Sequence, residues 1–225
     1  PLVALNRPGL RGRQLLLKRA LDIGLSTAGL VVLGPLMLFI ALAIGMTLLI
    51  IDGEVDLSVG SMQAFVGVVA MQVLNATSNL WAGIGIAIAI GVVVGLVNAG
   101  LTLGLGINSF IVTLAMFSII RGLAYTFTDA AVQNAHKLES FRAIGTGFIV
   151  QLPVIGRIPW PVVITAVIFA VFALILNRTT LGRYIYAVGG NARAAALAGV
   201  SVNGVKTLCF VITSVLAAIS AFILI

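Results

Sequence analysis

Residues 82–105 read AGIGIAIAIGVVVGLVNAGLTLGL, a run that contains no charged side chain. As a helix this run spans about 36 Å, which is enough to cross the roughly 30 Å hydrocarbon core of a bilayer. Its apolar residues are continuous and do not alternate with polar ones, which favours a membrane helix over a strand of a membrane barrel. The run therefore predicts an integral membrane protein.

The same pattern recurs in both directions from this run. Hydrophobic residues make up 61% of the 225 and charged residues only 8%, against about 25% charged residues in soluble domains. The sequence therefore predicts an all-α integral membrane protein, a polytopic helical bundle with about five spanning helices. The further apolar runs are Leu21–Ile51, Val55–Leu74, Phe110–Phe127, Trp160–Leu176 and Val205–Ile225.

The first apolar run, 21–51, is too long for one simple crossing. As one helix it would measure about 46 Å, and Gly34 and Pro35 interrupt it. Proline removes a backbone hydrogen bond and clashes with the preceding turn. We therefore expect residues 21–51 to form a proline-broken membrane hairpin with both ends in the cytoplasm.

Basic residues flank the apolar runs and predict the orientation of the chain. Cytoplasmic loops of membrane proteins are enriched in Lys and Arg, so residues 1–20 are predicted to be a basic cytoplasmic N-terminus. The loop 177–203 is predicted to be cytoplasmic for the same reason, within a transmembrane domain over 52–225. The last run has no polar flank, so we expect a protein that is incomplete at both ends. Charges that flank membrane segments exclude a nucleic-acid-binding face.

An acidic stretch, IDGEVDLSVGS at residues 51–61, lies between two apolar runs. Asp56 is predicted to cap a helix that begins near Leu57, by accepting from its free N–H groups. Asp52 and Glu54 are predicted to be solvated. No histidine or cysteine lies nearby, so the stretch does not predict a metal site.

Small and polar residues inside the runs have structural and functional interpretations. Two glycine pairs, Gly91 with Gly95 and Gly100 with Gly104, have the spacing that lets helix backbones pack closely. Asn98 either forms a hydrogen bond between helices or faces a translocation path, and the sequence does not choose. Arg121 either extends to the outer interface or is a buried charge near the path.

Three blocks of sequence resemble a known transporter family. Residues 43–47 with 53–61, 108–115 followed by Arg121, and 181–191 followed by 194–200 resemble, in the same order, the permeases of ribose- and xylose-type sugar ABC importers. The resemblance covers about residues 40–225. The chain has no Gly-x4-Gly-Lys-Ser/Thr phosphate-binding loop, so ATP hydrolysis is expected on a separate chain.

The resemblance implies a monosaccharide permease subunit in the bacterial inner membrane, a transport subunit and not an enzyme. It implies four partners: an ATP-binding-cassette ATPase subunit, a periplasmic sugar-binding protein, a second permease copy and membrane lipid. This chain would bind no cofactor, since ATP and Mg would be held by the ATPase. The residues expected to couple to the ATPase are Gly182, Arg183, Tyr186, Gly189, Gly190, Asn191, Ala195 and Gly199. Those expected at the gate or path are Asp56, Ser58, Gly60, Asn98, Asn108, Ser109 and Arg121.

A second resemblance covers about residues 1–40. Leu17–Ile23, followed by Gly34 and Pro35, is similar to the membrane anchor of bacterial polyprenol-phosphate sugar-1-phosphate transferases. In that family Lys-Arg-x-x-Asp opens a helix that a proline breaks into a re-entrant hairpin. Two alternative functions therefore stay open: a fragment of a membrane-bound sugar-1-phosphate transferase, and a passive or ion-coupled carrier.

Overall fold

A computed structural model describes residues 42–128, 148–152 and 156–224. Helices dominate this part of the chain, and a short antiparallel strand pair precedes the fifth helix. The elements are α1 Leu42–Asp52, α2 Val59–Thr77, α3 Leu80–Ala99 with a π-helical extension Gly100–Gly104, α4 Ser109–Thr128, β1 Phe148–Leu152, β2 Gly156–Pro159, α5 Trp160–Arg178, α6 Thr180–Gly190, α7 Ala192–Leu197 and α8 Val202–Leu224.

The helices that match the predicted runs are long and apolar enough to cross a membrane. Four of them, α2, α3 with its extension, α4 and α8, meet this criterion singly. A fifth span is formed if α5 is counted together with α6, which leaves it at an angle of 71°. The predicted polytopic bundle of about five spanning helices is confirmed. The predicted break at Pro35 and the basic segment 1–20 lie outside the described residues.

The strand pair was not predicted from the sequence. β1 and β2 are antiparallel, with Val150 opposite Ile158 and Leu152 opposite Gly156. The strands are only five and four residues long, and they lie between the apolar runs 110–127 and 160–176. Such short strands carry little periodic signal, which explains why sequence reasoning missed them.

The turn between α2 and α3 shows how two adjacent spans are joined by two residues. Ser78 ends α2 in the left-handed conformation at φ 51°, and its N–H donates to the carbonyl of Leu74 at 2.8 Å. Asn79 then caps α3, because its Oδ1 accepts from the N–H groups of Trp81 and Ala82 at 2.9 and 3.4 Å. These bonds satisfy backbone groups that helix ends leave unpaired.

The most extensive helix packing in the described residues is between α3 and α8. A Cβ at Gly95 would lie 2.6 Å from the Cα of Val211, and one at Gly91 would lie 2.9 Å from the Cα of Val215. Glycine at both positions lets the two backbones touch, so the packing predicted for this pair is confirmed. The same prediction is wrong for Gly100 and Gly104, because they lie in the π-helical extension, where a Cβ would have no neighbour within 4 Å.

Two hydrophobic clusters hold the bundle together. One lies among α2, α3, α4 and α8 and includes Met62, Val66, Leu74, Ile120 and Phe222. The other joins the ends of α1, α6, α7 and α8 and includes Leu48, Leu49, Ile185, Val188 and Phe210. The second cluster matters for function, since it fixes the predicted cytoplasmic loop to the segment that precedes α2.

Candidate functional site

The segment 53–58, which we call the gate segment, connects α1 to α2 without regular secondary structure. Its first residue, Gly53, has φ +88°, a left-handed conformation that side chains rarely adopt. The N–H of Glu54 donates to the carbonyl of Leu49 at 2.8 Å, and that of Gly53 to Ile50 at 3.2 Å. These two bonds form a Schellman motif, which ends α1 and turns the chain sharply.

Asp56 lies at the centre of a buried polar network. Its Oδ1 accepts from the N–H and the Oγ of Ser58 at 2.8 and 2.6 Å, and its Oδ2 accepts from Nδ2 of Asn98 at 3.4 Å. The same Nδ2 also reaches Ser58 Oγ at 3.1 Å. All three side chains are at most 1% exposed. Asn98 therefore forms a hydrogen bond between α3 and the gate segment.

The predicted cap at Asp56 differs from the observed one. The helix begins at Val59 and not near Leu57. Asp56 binds the N–H of Ser58, one residue ahead of the helix, because a side chain two positions upstream closes a local turn there. The carboxylate thus orders the approach to α2 instead of capping N–H groups within its first turn.

The prediction that Asp52 and Glu54 are solvated is wrong. Glu54 forms an ion pair with Lys206 at the start of α8, and both side chains are mostly buried. Asp52 is 2% exposed. Its burial raises its pKa to about 6, although Cys209 and the charge of Lys206 oppose this shift. Sequence reasoning had no signal for this packing, since Lys206 lies 152 positions from Glu54.

Of the four other predicted gate residues, one bonds to the gate segment and three do not. Ser109, at the start of α4, accepts from the N–H of Val55 through its Oγ at 3.4 Å. Asn108 is exposed and orders the start of α4, where its Oδ1 accepts from the N–H of Phe110 at 2.9 Å. Gly60 is exposed in α2, and a Cβ there would have no neighbour within 4 Å.

Arg121 is an exposed residue of α4 and lies far from the gate segment. It follows Ser109 by twelve positions, or about 18 Å along the helix. Its guanidinium lies 5.9 and 5.7 Å from the ring centres of Phe117 and Tyr125, and its Nη2 donates to the Tyr125 hydroxyl at 3.3 Å. This arrangement matches an arginine that extends along its own helix surface rather than a buried charge.

The predicted coupling loop 177–203 consists of two helices, α6 and α7. Thr179 caps α6, because its Oγ1 accepts from the N–H of Gly182 at 3.3 Å. Asn191 separates the helices and caps α7, with its Oδ1 accepting from the N–H of Ala194 at 3.0 Å. Gly199, at φ +85°, ends α7 in a Schellman motif, with the same two types of backbone hydrogen bond that end α1 at Gly53. We call α6 and α7 the coupling helices.

The coupling helices have one packed side and one exposed side. Gly182 fits against the carbonyls of Ile175 and Leu176, where a side chain would overlap the backbone of α5. Ala195 is buried, whereas Leu197 is 92% exposed. The remaining predicted coupling residues, Arg183, Tyr186, Gly189, Gly190, Asn191 and Gly199, are exposed. This surface is therefore presented on a rigid base.

The gate segment, the start of α4 and the coupling helices meet at one end of the bundle. Val55 bonds to Ser109, Glu54 pairs with Lys206, and Ile51 contacts Gly189. The sequence predicts that the loop 177–203 is cytoplasmic, so these contacts place the gate segment and the start of α4 at the same end of the bundle as that loop.

A family model described as the permease component of branched-chain amino acid transport systems matches residues 28–225. The chain belongs to this permease family. With its apolar spans, this chain is a multi-pass protein of the bacterial inner membrane. The match begins within the segment 1–40 that resembles the transferase anchor.

Several curated relatives of this chain are named as sugar permeases. The ribose import permease protein of Haemophilus influenzae is 32% identical over 185 residues, which are 81% of this chain and 55% of that protein. The L-arabinose transport system permease protein of Escherichia coli is 38% identical over 182 residues, 81% of this chain and 53% of that protein. The fructose import permease protein of Bifidobacterium longum is 35% identical over 185 residues, which are 81% of this chain and 50% of that protein.

These relatives set the extent of the comparison. The permease chain spans about half the length of the curated relatives it matches. No solved structure matches the chain significantly. The resemblance to sugar importer permeases is confirmed, and the relatives named here give no support to the transferase alternative.

Proposed function

We propose that the chain is the transmembrane permease subunit of an ATP-binding-cassette importer for a monosaccharide. The observation that carries this proposal is the pair of coupling helices, which present Arg183, Tyr186 and Leu197 on a base packed against α1, α5 and α8. The names of the relatives, for ribose, L-arabinose and fructose, support a monosaccharide as the substrate class.

The coupling helices would be the docking surface for an ATPase subunit. A short helix with a small-residue face and an exposed leucine fits a groove on a soluble partner. ATP and Mg would be held by that partner, and this chain would bind no cofactor of its own. The ATPase would then bias the permease between states that open to opposite sides of the membrane, with the sugar bound more tightly in one of them.

Three further partners follow from the proposal. A periplasmic sugar-binding protein would deliver the substrate to the outer face, and a second permease copy would complete the transport path. Membrane lipid would cover the outward apolar faces of α4 and α5, where Phe110, Ile119, Phe169 and Leu174 are exposed. Large exposed apolar surfaces of this kind mark lipid or protein contacts.

Co-purification from membranes tests the proposal. The permease is co-expressed with the ATPase subunit encoded beside it, together with a Leu197→Ala variant. Trp81→Ala serves as the matched control, because Trp81 is also an exposed apolar residue, at 77%, but lies at the opposite end of the bundle. The ATPase is expected to be retained by the parent and the control and weakened by Leu197→Ala. Failure of the parent to retain any ATPase would overturn the proposal.

A further inference from the structure

The packed side of α6 rests on the end of α1. Ile185 and Val188 are buried in the same cluster as Leu48 and Leu49 of α1, together with Phe210 of α8. The two helices therefore share a hydrophobic contact that ends where the gate segment begins. A displacement of α6 cannot leave the end of α1 in place without opening this closely packed cluster.

Gly189 brings the backbones of α6 and α1 into direct contact. A Cβ at this position would overlap the carbonyl oxygen of Ile51 and would lie 2.8 Å from its carbonyl carbon and 3.2 Å from the Cα of Asp52. The next residue, Gly190, has no neighbour within 4 Å of the corresponding position. The contact at Gly189 therefore requires glycine, whereas the adjacent glycine is free of this constraint.

The carbonyl that Gly189 touches belongs to the last turn of α1. The Schellman motif at Gly53 satisfies the carbonyls of Leu49 and Ile50, and it leaves that of Ile51 outside its two bonds. This carbonyl faces α6. The contact is therefore between the terminal turn of α1 and α6, immediately before the chain leaves helical geometry.

The residues after Ile51 connect its contact with α6 to the gate segment. Glu54 is held by its ion pair with Lys206, and Asp56 is held by Ser58 and Asn98. Only Gly53 and a few non-helical residues separate these anchors from the contact at Ile51. A small shift of the α1 end thus acts on a short, anchored stretch and not on a long, compliant loop.

We propose that Gly189 is a positioning residue, which passes movement of the coupling helices to the gate segment through its backbone contact with Ile51. The inference rests on the proposed function, because it assumes that an ATPase subunit moves α6. It adds a specific route into the buried Asp56 network, and it separates a transmitting glycine from the docking surface beside it.

The test compares Gly189→Ala with Gly85→Ala in the permease bound to its ATPase and binding-protein partners. Gly85 is an exposed glycine of α3, outside the coupling helices, and a Cβ there would have no neighbour within 4 Å. Two quantities are measured for each: the amount of ATPase retained on purification, and the uptake of labelled monosaccharide by cells. Couplings between distant sites typically correspond to about 5–150-fold, so uptake by Gly189→Ala is expected to fall roughly tenfold. Retention of the ATPase by Gly189→Ala is expected to stay at the parent level, and Gly85→Ala is expected to match the parent in both measurements.

Other outcomes overturn the inference in distinguishable ways. If Gly189→Ala transports like the parent, the contact transmits nothing. If Gly189→Ala loses the ATPase while Gly85→Ala keeps it, Gly189 belongs to the docking surface instead. If the parent itself retains no ATPase, the proposed function fails, and this inference fails with it.

A second measurement on the parent complex decides the matter if Gly189→Ala does not fold. Amide hydrogen exchange is followed for residues 53–58 in the complex, with and without ATP and Mg. The exchange rate of this segment is expected to change when nucleotide binds. Unchanged exchange there, with altered exchange in residues 180–197, would show that movement stops at the coupling helices and would overturn the inference.

Discussion

Asn98 of α3 and Asp56 of the gate segment are joined side chain to side chain, with Nδ2 3.4 Å from Oδ2 although 42 positions separate them. Both residues are fully buried, and Ser58 completes the network. The amide therefore supplies the carboxylate with a donor from a different helix. Without it, a buried carboxylate would lose a partner that it cannot replace with water.

Asn98→Ala is expected to lower the melting temperature of the purified permease in detergent. Leaving a buried polar group without its partner costs about 1–3 kcal/mol. Asn203→Ala is the control, because Asn203 is exposed at the start of α8. Differential scanning fluorimetry gives both values. Equal melting temperatures for the two variants would show that the bond to Asp56 contributes nothing to stability.

Gly95→Ala is expected to separate α3 from α8. The new methyl group would approach the Cα of Val211 to 2.6 Å, and overpacking of this kind costs about 1–3 kcal/mol. Gly85→Ala is the matched control on the same helix, because nothing lies within 4 Å of a side chain there. Thermal unfolding of both variants checks the prediction, which is refuted if Gly85→Ala is the more damaging change.

Lys206→Met alone is expected to destabilise the junction of α1 and α8 more than the double variant Lys206→Met with Glu54→Gln. Lys206→Met leaves Glu54 mostly buried without its counter-charge, near Asp52. Adding Glu54→Gln removes one of the two acidic charges, so the double variant should recover part of the lost stability. A double-mutant cycle on melting temperatures measures the coupling. Additive effects of the two changes would contradict the expected recovery of stability in the double variant.

The melting temperature is expected to depend on pH through Asp52. Burial raises the pKa of this carboxyl from 3.8 to about 6, so the folded state holds its proton more tightly than the unfolded state. Stability therefore falls as the pH rises through this window, and the loss is complete above the folded pKa. Asp52→Asn should raise the melting temperature at about pH 7.5 and leave it nearly unchanged at about pH 4. An equal shift at both pH values would show that the carboxyl charge is not responsible.

The spanning helices and the contact at Gly91 and Gly95 could be predicted because each depends on a sequence pattern within a single helix. Long apolar runs and glycines one turn apart need no knowledge of their partner. The Glu54–Lys206 pair and the burial of Asp52 could not be predicted, since they depend on how α1 meets α8. The two glycine pairs of α3 show the same limit: identical spacing led to packing at Gly95 and none at Gly104, where the helix becomes π-helical.

The 71° bend between α5 and α6 is a point about which α6 could rotate. Thr179 lies at this bend, and Gly189 lies about 15 Å from it, near the other end of α6. Rotation of α6 by about 10° about the bend would therefore carry Gly189 roughly 2–3 Å. A small rotation of α6 would thereby displace the contact between Gly189 and Ile51 at the end of α1.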